Sequence, residues 1–450
     1  MKENHSIDNP GPSSFSRRKF INITSAGLCG LMVEGHPAGA GAKAEAGTGA
    51  GAGAVSNIQA ALGHDAFTHN DNDTTVIGAY GKWAAELLNR DLPSLSFRRK
   101  EWASLVQWQT IAKNRAEERL GIPDIGGVPL VKIERQYIYD GLHVEELSWN
   151  LPYGPPVEAI LLKPADAVKP LPGILAFHDH GGNKYFGKRK ITRTSDIRHP
   201  VIEDHQKNYY EDRAWANEIA KRGFVVLVSD TFPFASRRVL LQDMPVRLRQ
   251  GLDDNDPENP DNIRAYNTWA AQHEHIMAKS LFSAGTTWPG VFLAEDQKAL
   301  DVLCAREDVD AGRIGCGGLS GGGMRTVFIG GLDPRIKCAV CVGFMTTWKD
   351  FALNKSFTHT WMTYVPLLPN ELDFPEIMGL GVPLPTLVLN AEEDNLYTLP
   401  EMKVADSILK EVYEKANAAD RYKCSFYPGG HKFVETMQLE AFDWFDRWLK

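Results

Sequence analysis

Cysteine is scarce in this chain, and long apolar runs are missing. Six cysteines are spread over 450 residues. Cys29 lies in the N-terminal region, and the other five are an odd number that offers no disulfide framework. Cys338-Ala339-Val340-Cys341 matches a CxxC spacing, but it sits in an apolar, strand-like run from Ile336 to Val342. Redox CxxC motifs begin helices, so two buried structural thiols are the better reading. No stretch reaches the ~20 apolar residues of a membrane-spanning helix. A net charge of −8 is a mild excess of one sign, which argues against a nucleic-acid surface. There is no internal repeat. His178-Asp179-His180 could place two imidazoles on one face of an extended strand, but no further cluster has metal-ligand spacing. The expectation is therefore no metal and no cofactor. With 43% hydrophobic residues, the chain can bury one large core.

Glycine, by contrast, is concentrated where it matters. The run Arg313-Ile314-Gly315-Cys316-Gly317-Gly318-Leu319-Ser320-Gly321-Gly322-Gly323-Met324 contains Gly318-x-Ser320-x-Gly322. A serine is a weak nucleophile unless its Oγ is openly presented and a base removes its proton. A sharp strand-to-helix turn presents it, and crowding there demands small residues on both sides. Arg313 to Gly318 reads as a buried strand end, and Met324 to Ile329 as an opening helix. The pentapeptide alone is a weak signal; this context and suitable downstream partners make it strong.

Two partners follow. The apolar strand Pro385-Thr386-Leu387-Val388-Leu389-Asn390-Ala391 runs into the acidic loop Glu392-Glu393-Asp394-Asn395. A helical stretch from Leu399 to Tyr413 comes next. The β-rich run Tyr422 to Tyr427 then leads into Pro428-Gly429-Gly430-His431. Histidine can accept a proton near neutral pH and return it to a leaving group. A carboxylate would orient the imidazole and stabilise its cation. Acidic loops after strands are commonly just solvated, and Glu392 and Glu393 compete for the role. Asp394 is preferred because it lies furthest past the strand, in an Asp-Asn turn able to aim back at His431. The order Ser320, Asp394, His431 is the order of nucleophile, acid and base along α/β-hydrolase chains.

A tetrahedral intermediate also needs donors for its oxyanion. One is the amide after the nucleophile, here Gly321. The other belongs to the loop after the third strand of that fold. Leu171 to Phe177 reads as that strand, ending in His178-Asp179-His180-Gly181-Gly182-Asn183. The His180 amide is the expected second donor, with Gly181 the alternative.

His178-Asp179-His180-Gly181-Gly182, Gly318-Leu319-Ser320-Gly321-Gly322-Gly323, the Asp394 loop and Gly429-Gly430-His431 together resemble the α/β-hydrolases of the dienelactone hydrolase and acetyl xylan esterase-like group, in particular the bacterial family 7 type. The resemblance covers roughly residues 76 to 450, as one such domain would. Dienelactone hydrolases carry a Cys nucleophile where this chain has Ser320. The resemblance therefore implies ester hydrolysis by a serine, with a small-molecule or carbohydrate ester as substrate. It names neither acyl group nor alcohol.

The N-terminus suggests export. Ser16-Arg17-Arg18-Lys19-Phe20-Ile21 is similar to a twin-arginine signal, and the apolar stretch Ile21 to Val33 is too short to span a membrane stably. Ala38-Gly39-Ala40 and Ala42-Lys43-Ala44 offer small-residue cleavage sites. Leu28 before Cys29 argues against a lipoprotein site. The expected division is a signal over 1–44, a Gly/Ala-rich linker over 45–75, a helical extension over 76–124 and a catalytic domain over 125–450. The chain would engage the twin-arginine export machinery and reside in the periplasm or outside the cell.

Elsewhere strands and helices alternate. Residues 97–120 read as a helix with Trp102, Leu105, Trp108, Ile111 and Ala112 on one face. Residues 125–162 read as leading antiparallel strands, 212–222, 294–306 and 435–449 as helices, and 223–229 as a strand. Such alternation predicts an α/β fold: a mainly parallel central sheet flanked by helices, with cap-like insertions. Segments 183–210, 231–265 and 345–380 exceed ordinary loops and could shape a binding site. The third carries Trp348, Phe351, Trp361 and Tyr364, which could stack on a sugar or form the core of a small cap. Arg237, Arg238 and Arg325 are candidates for an anionic substrate, and each also reads as an ion-paired arginine. A prolyl-oligopeptidase-like peptidase shares the triad order, but about 120 leading helical residues cannot build its propeller. A non-catalytic binding protein on the same fold is the remaining alternative.

Overall fold

The computed structural model describes residues 75–88 and 91–450. The twin-arginine segment, Cys29 and the expected linker, apart from Thr75, lie outside the described residues. Chain order begins with helices α1 (Gly81–Leu88) and α2 (Leu105–Leu120) and strands β1 (Lys132–Tyr139), β2 (Leu142–Trp149), β3 (Val157–Pro164) and β4 (Leu171–Phe177). Helices α3 (Pro200–Tyr210) and α4 (Trp215–Lys221), strand β5 (Val225–Ser229) and helices α5 (Pro260–Ser283) and α6 (Trp288–Cys304) follow. The remainder is β6 (Val309–Leu319), α7 (Gly321–Leu332), β7 (Ile336–Val342), α8 (Phe374–Gly379), β8 (Thr386–Ala391), α9 (Leu399–Lys415), β9 (Tyr422–Tyr427) and α10 (Glu435–Leu449).

The nine strands form one sheet in the order β1-β2-β3-β5-β4-β6-β7-β8-β9. β1, β2 and β3 pair antiparallel, and β3 is antiparallel to β5. From β5 to β9 every pairing is parallel. Strands buried on both faces read as continuous apolar runs, and β4 shows why. Leu175 and Phe177 enter the core with α2, α6, α7, α8 and α9, whereas Ile174 and Ala176 enter the core with α4 and α10. Each fully buried aliphatic side chain contributes roughly 1.5–3 kcal/mol, so two such layers anchor the sheet. β4 lies between β5 and β6 and is parallel to both, so the loops after β4 and β6 leave neighbouring strands at the same, C-terminal end of the sheet, where sites of such sheets form.

Several boundaries differ from the sequence reading. α2 begins at Leu105 because the Ser104 side chain accepts from the Gln107 amide and caps it. Residues 97–104 precede it, and Phe97 folds back to stack on Trp108 at 4.5 Å. Ile111 is 42% exposed; the buried face is Trp108, Ala112, Ala116 and Leu120. The segment expected as a loop to residue 265 ends early, because α5 starts at Pro260 behind the Asn259 cap. Asn-Pro-Asp is a start signal: a cap, a proline in the first turn and an acid at the positive helix end. Likewise α3 occupies the end of segment 183–210, with Pro200 in its first turn. Cys338 and Cys341, three residues apart on β7, join opposite cores and remain free thiols.

Candidate functional site

β6 ends at Leu319, and Ser320 follows with φ 57° and ψ −118°, a conformation costly for a residue with a Cβ. Its amide is held by Val342 O at 2.9 Å, and its own carbonyl accepts the Met324 amide at 2.9 Å. The flanking glycines are there for space. A Cβ on Gly322 would lie 2.5 Å from Phe177 O, and one on Gly323 would lie 2.7 Å from Val342 O. Gly318 would meet Phe177 O as well. The turn is thus wedged between β4 and β7, with Ser320 at its tip, 9% exposed.

His431 lies past β9. Its Nδ1 donates to Asp394 Oδ2 at 2.6 Å. Asp394 is buried and its Oδ1 accepts the Leu396 amide at 2.9 Å, whereas Glu392 and Glu393 are exposed. The imidazole packs against Gly343, at φ +56°, where an added Cβ would stand 3.2 Å from His431 Cε1 and 3.2 Å from Leu319 Cδ1. His431 and Ser320 thus adjoin the same residues, 342–343, at the C-terminal end of β7. His431 Nε2 is buried and has no hydrogen-bond partner among the described residues.

The loop after β4 reaches the same place. A Cβ on Gly321 would lie 3.1 Å from the His180 amide nitrogen, so the two expected donors are neighbours. Gly181 and Gly182 turn the chain away with φ +50° and +65°. Asp179 points inward instead, accepting from His205 Nε2 at 3.0 Å and Tyr210 Oη at 2.5 Å. Burial alone would raise its carboxyl; His205 and Lys190 outweigh this and hold it below the usual carboxylate range. Burial pushes the His178 imidazole down to about 3, so it is neutral. Among the described residues no group of three or more His, Cys, Asp or Glu could hold a metal ion.

One residue the sequence reading passed over is Glu274 on α5. Its Oε1 lies 3.2 Å from His180 Nε2 and is also bound by Lys184, and its Oε2 accepts the Trp361 amide at 3.3 Å. Burial would raise this carboxyl, but His180 and Lys184 pull it down to about 2. No motif announced it, because α5 itself was unread. Trp361 is 43% exposed beside this group, so it alone of the two singled-out tryptophans faces solvent near the site. Trp348 is core: it is 4% exposed, bonds Leu372 O through Nε1 at 3.1 Å and packs on Phe374. Phe351 belongs to that same core, and Tyr364 is partly buried with its hydroxyl on Ser356 O.

Each of the three arginines is engaged within the fold. Arg325 is 3% exposed, paired with Asp296 and stacked 4.3 Å from the Phe177 ring centre. Arg237 pairs with Glu295 at 2.7 Å and donates to Tyr153 O. Arg238 lies over Tyr185. In each case a carboxylate, carbonyl or ring engages the guanidinium, as expected for a cation drawn out of water, while Arg237 Nε, Arg238 Nε and Arg325 Nη1 are buried with no hydrogen-bond partner among the described residues. Asp296→Ala, which leaves the Arg325 charge buried and unpaired, should destabilise the protein by roughly 3–5 kcal/mol in urea unfolding. A change under about 1 kcal/mol would show that the pair is solvated.

Comparison with known proteins shows a shared fold. No family model matches the chain. The Bacillus subtilis (strain 168) protein named "Putative hydrolase YtaP" is 26% identical over 309 residues, 68% of this chain and 88% of that one. A Bacteroides fragilis structure described as a "putative acetyl xylan esterase" superposes with a TM-score of 0.59 at 18% identity, covering 80% of this chain and 84% of that chain. A methylesterase gives 0.54 at 17% identity, over 84% and 69% of the two chains. A glucuronoyl esterase from Solibacter usitatus gives 0.53 at 14% identity, over 79% and 97%. At these identities what is shared is the fold: a mixed α/β sheet protein built like esterases of α/β-hydrolase type.

Proposed function

We propose that this chain is an exported serine hydrolase that cleaves a carboxylic ester through an acyl-enzyme. The observation that supports it most is the Asp394–His431 bond of 2.6 Å, with the imidazole's other nitrogen buried and unpartnered beside the strained Ser320 turn. In this reading Ser320 Oγ attacks the ester carbonyl while His431 Nε2 takes its proton. The carbonyl oxygen becomes an oxyanion and accepts from the Gly321 and His180 amides. The intermediate collapses, the C–O bond to the alcohol breaks, and His431 returns the proton to the departing oxygen. Water then repeats the sequence on the acyl-enzyme, releasing the acid and restoring Ser320. Asp394 keeps Nδ1–H directed away from the serine and stabilises the imidazolium. The likeness to an acetyl xylan and a glucuronoyl esterase favours a carbohydrate ester, with Trp361 as the exposed ring for a sugar face. A fluorophosphonate probe tests the mechanism: covalent labelling at Ser320 is expected, and an unlabelled protein would favour a binding protein on this fold.

Export rests on Arg17 and Arg18, and among the described residues no helix is long and apolar enough to cross a membrane. The twin-arginine route carries folded proteins, which suits a domain with five free thiols, three of them buried. Changing both arginines to lysine should leave an uncleaved precursor in the cytoplasm that still hydrolyses esters, read by fractionation and immunoblot. Normal secretion of that variant would exclude the pair as the address.

A further inference from the structure

Lys190 is a fully buried ammonium that this mechanism has not used. It ends the short turn Lys188–Lys190, and its Nζ donates to two consecutive carbonyls, Asp179 O at 2.8 Å and His180 O at 2.9 Å. Its remaining side faces the Phe234 ring, 4.9 Å from the centroid. The Asp179 carboxylate oxygen Oδ2 stands at 4.0 Å, and that carboxylate is already bound by His205 and Tyr210. Burying an ammonium chiefly on carbonyl oxygens is costly, so what those carbonyls do is informative.

Asp179 O belongs to the peptide unit whose N–H is that of His180. In a trans peptide the C=O and N–H point in opposite directions. A cation that fixes the carbonyl inward therefore fixes the N–H outward, and that nitrogen faces Gly321. A charge-assisted bond on the carbonyl also polarises the unit and strengthens its N–H as a donor. The second bond, to His180 O, holds the next peptide plane, which the Asn183 amide also grips at 3.0 Å. His178 Nδ1 lies 3.1 Å from Asp179 O and adds a second donor there in its Nδ1–H tautomer.

We infer that Lys190 is a positioning residue for the oxyanion site: its ammonium aims and polarises the Asp179–His180 peptide so that the His180 N–H meets the charge developing beside Ser320. The role rests on the serine-hydrolase reading above. It carries a pH signature. Burial and neighbouring Lys184 push this ammonium down to about 8, against the pull of Asp179 and Asp230. The other titratable groups around it are His178, His180 and, behind Asp179, His205. Raising the pH through that value removes the charge, leaving a weaker donor on the carbonyl, so kcat should fall while substrate binding holds.

The test uses the full chain with p-nitrophenyl acetate and a fluorophosphonate probe. Lys190→Met should lower kcat by roughly 10–100-fold with KM changed by less than about threefold, because the loss is confined to the transition state. The wild-type kcat profile should bend down near pH 8. That bend should be absent in Lys190→Met and in Lys190→Arg, and the arginine variant should recover part of kcat. A methionine variant with normal kcat, or one that keeps the bend, overturns the role. If neither variant folds, the wild type decides: a flat kcat from about pH 7 to 9.5 overturns it. A wild type that neither turns over nor labels at Ser320 overturns the serine-hydrolase reading itself, and this role with it.

Discussion

Ser320→Ala is expected to leave a folded protein whose ester hydrolysis is lower by roughly 10³-fold or more, about 4 kcal/mol of transition-state stabilisation. Alanine carries the same Cβ into the same left-handed backbone, φ 57°, so the turn's strain is unchanged. The bonds that shape the turn, Ser320 N to Val342 O and Met324 N to Ser320 O, are made by backbone and survive. Only Oγ is lost, and with it the acyl-enzyme. In the proposed mechanism what remains is the stabilisation that the Gly321 and His180 amides would give to direct attack by water, which sets a floor above the uncatalysed rate. Circular dichroism should match the wild type, and fluorophosphonate labelling should vanish. Turnover within about tenfold of normal on a good ester would exclude Ser320 as the nucleophile.

Asp394→Asn should come close to that loss, lowering kcat/KM by roughly 10³–10⁴-fold. The amide keeps the shape but cannot stabilise an imidazolium, and its NH₂ can favour the tautomer that leaves Nε2 protonated and unable to act as base. Glu392→Gln and Glu393→Gln are the controls. Both glutamates are exposed, and their amides are tied to Tyr427 O and Gly429 O, so each change should alter kcat/KM by less than about threefold. If Glu392→Gln were the crippling variant, the acid would belong two residues earlier in the loop.

The parts of the fold that could be read in advance are those in which one local period dominates. β4, β7 and β8 are short apolar runs bounded by turn residues, and β9 spans Tyr422–Tyr427, the bounds read from its β-rich composition. α10 spans Glu435–Leu449, as the terminal helix was read. Errors arose where a cap or partner from elsewhere decided. The apolar periodicity before α2 ran on through Trp102, but Ser104 stops the helix there, and Phe97 buries its ring on Trp108 instead. α5 was missed because its mixed polar sequence is laid over the site loops, and its start lay in the Asn259-Pro260-Asp261 cap more than in any stripe.

Ser320, Gly321, Asp394 and His431 could be singled out because each ends a legible strand or turn, and parallel strands deliver their C-terminal loops to one edge. Glycine spacing around Ser320 is likewise local: the residue type must fit wherever Phe177 O and Val342 O come close. Charged side chains were the opposite case. Whether Arg325 meets a substrate or Asp296, and whether Lys190 is a surface lysine or a clamp on two carbonyls, depends on which oxygen lies opposite once the layers close. So the chain by itself determined the order of strand, turn and helix and the chemistry carried at the strand ends. Tertiary structure alone decided which buried charges pair, because desolvation forces every enclosed cation onto whatever acceptor the packing provides.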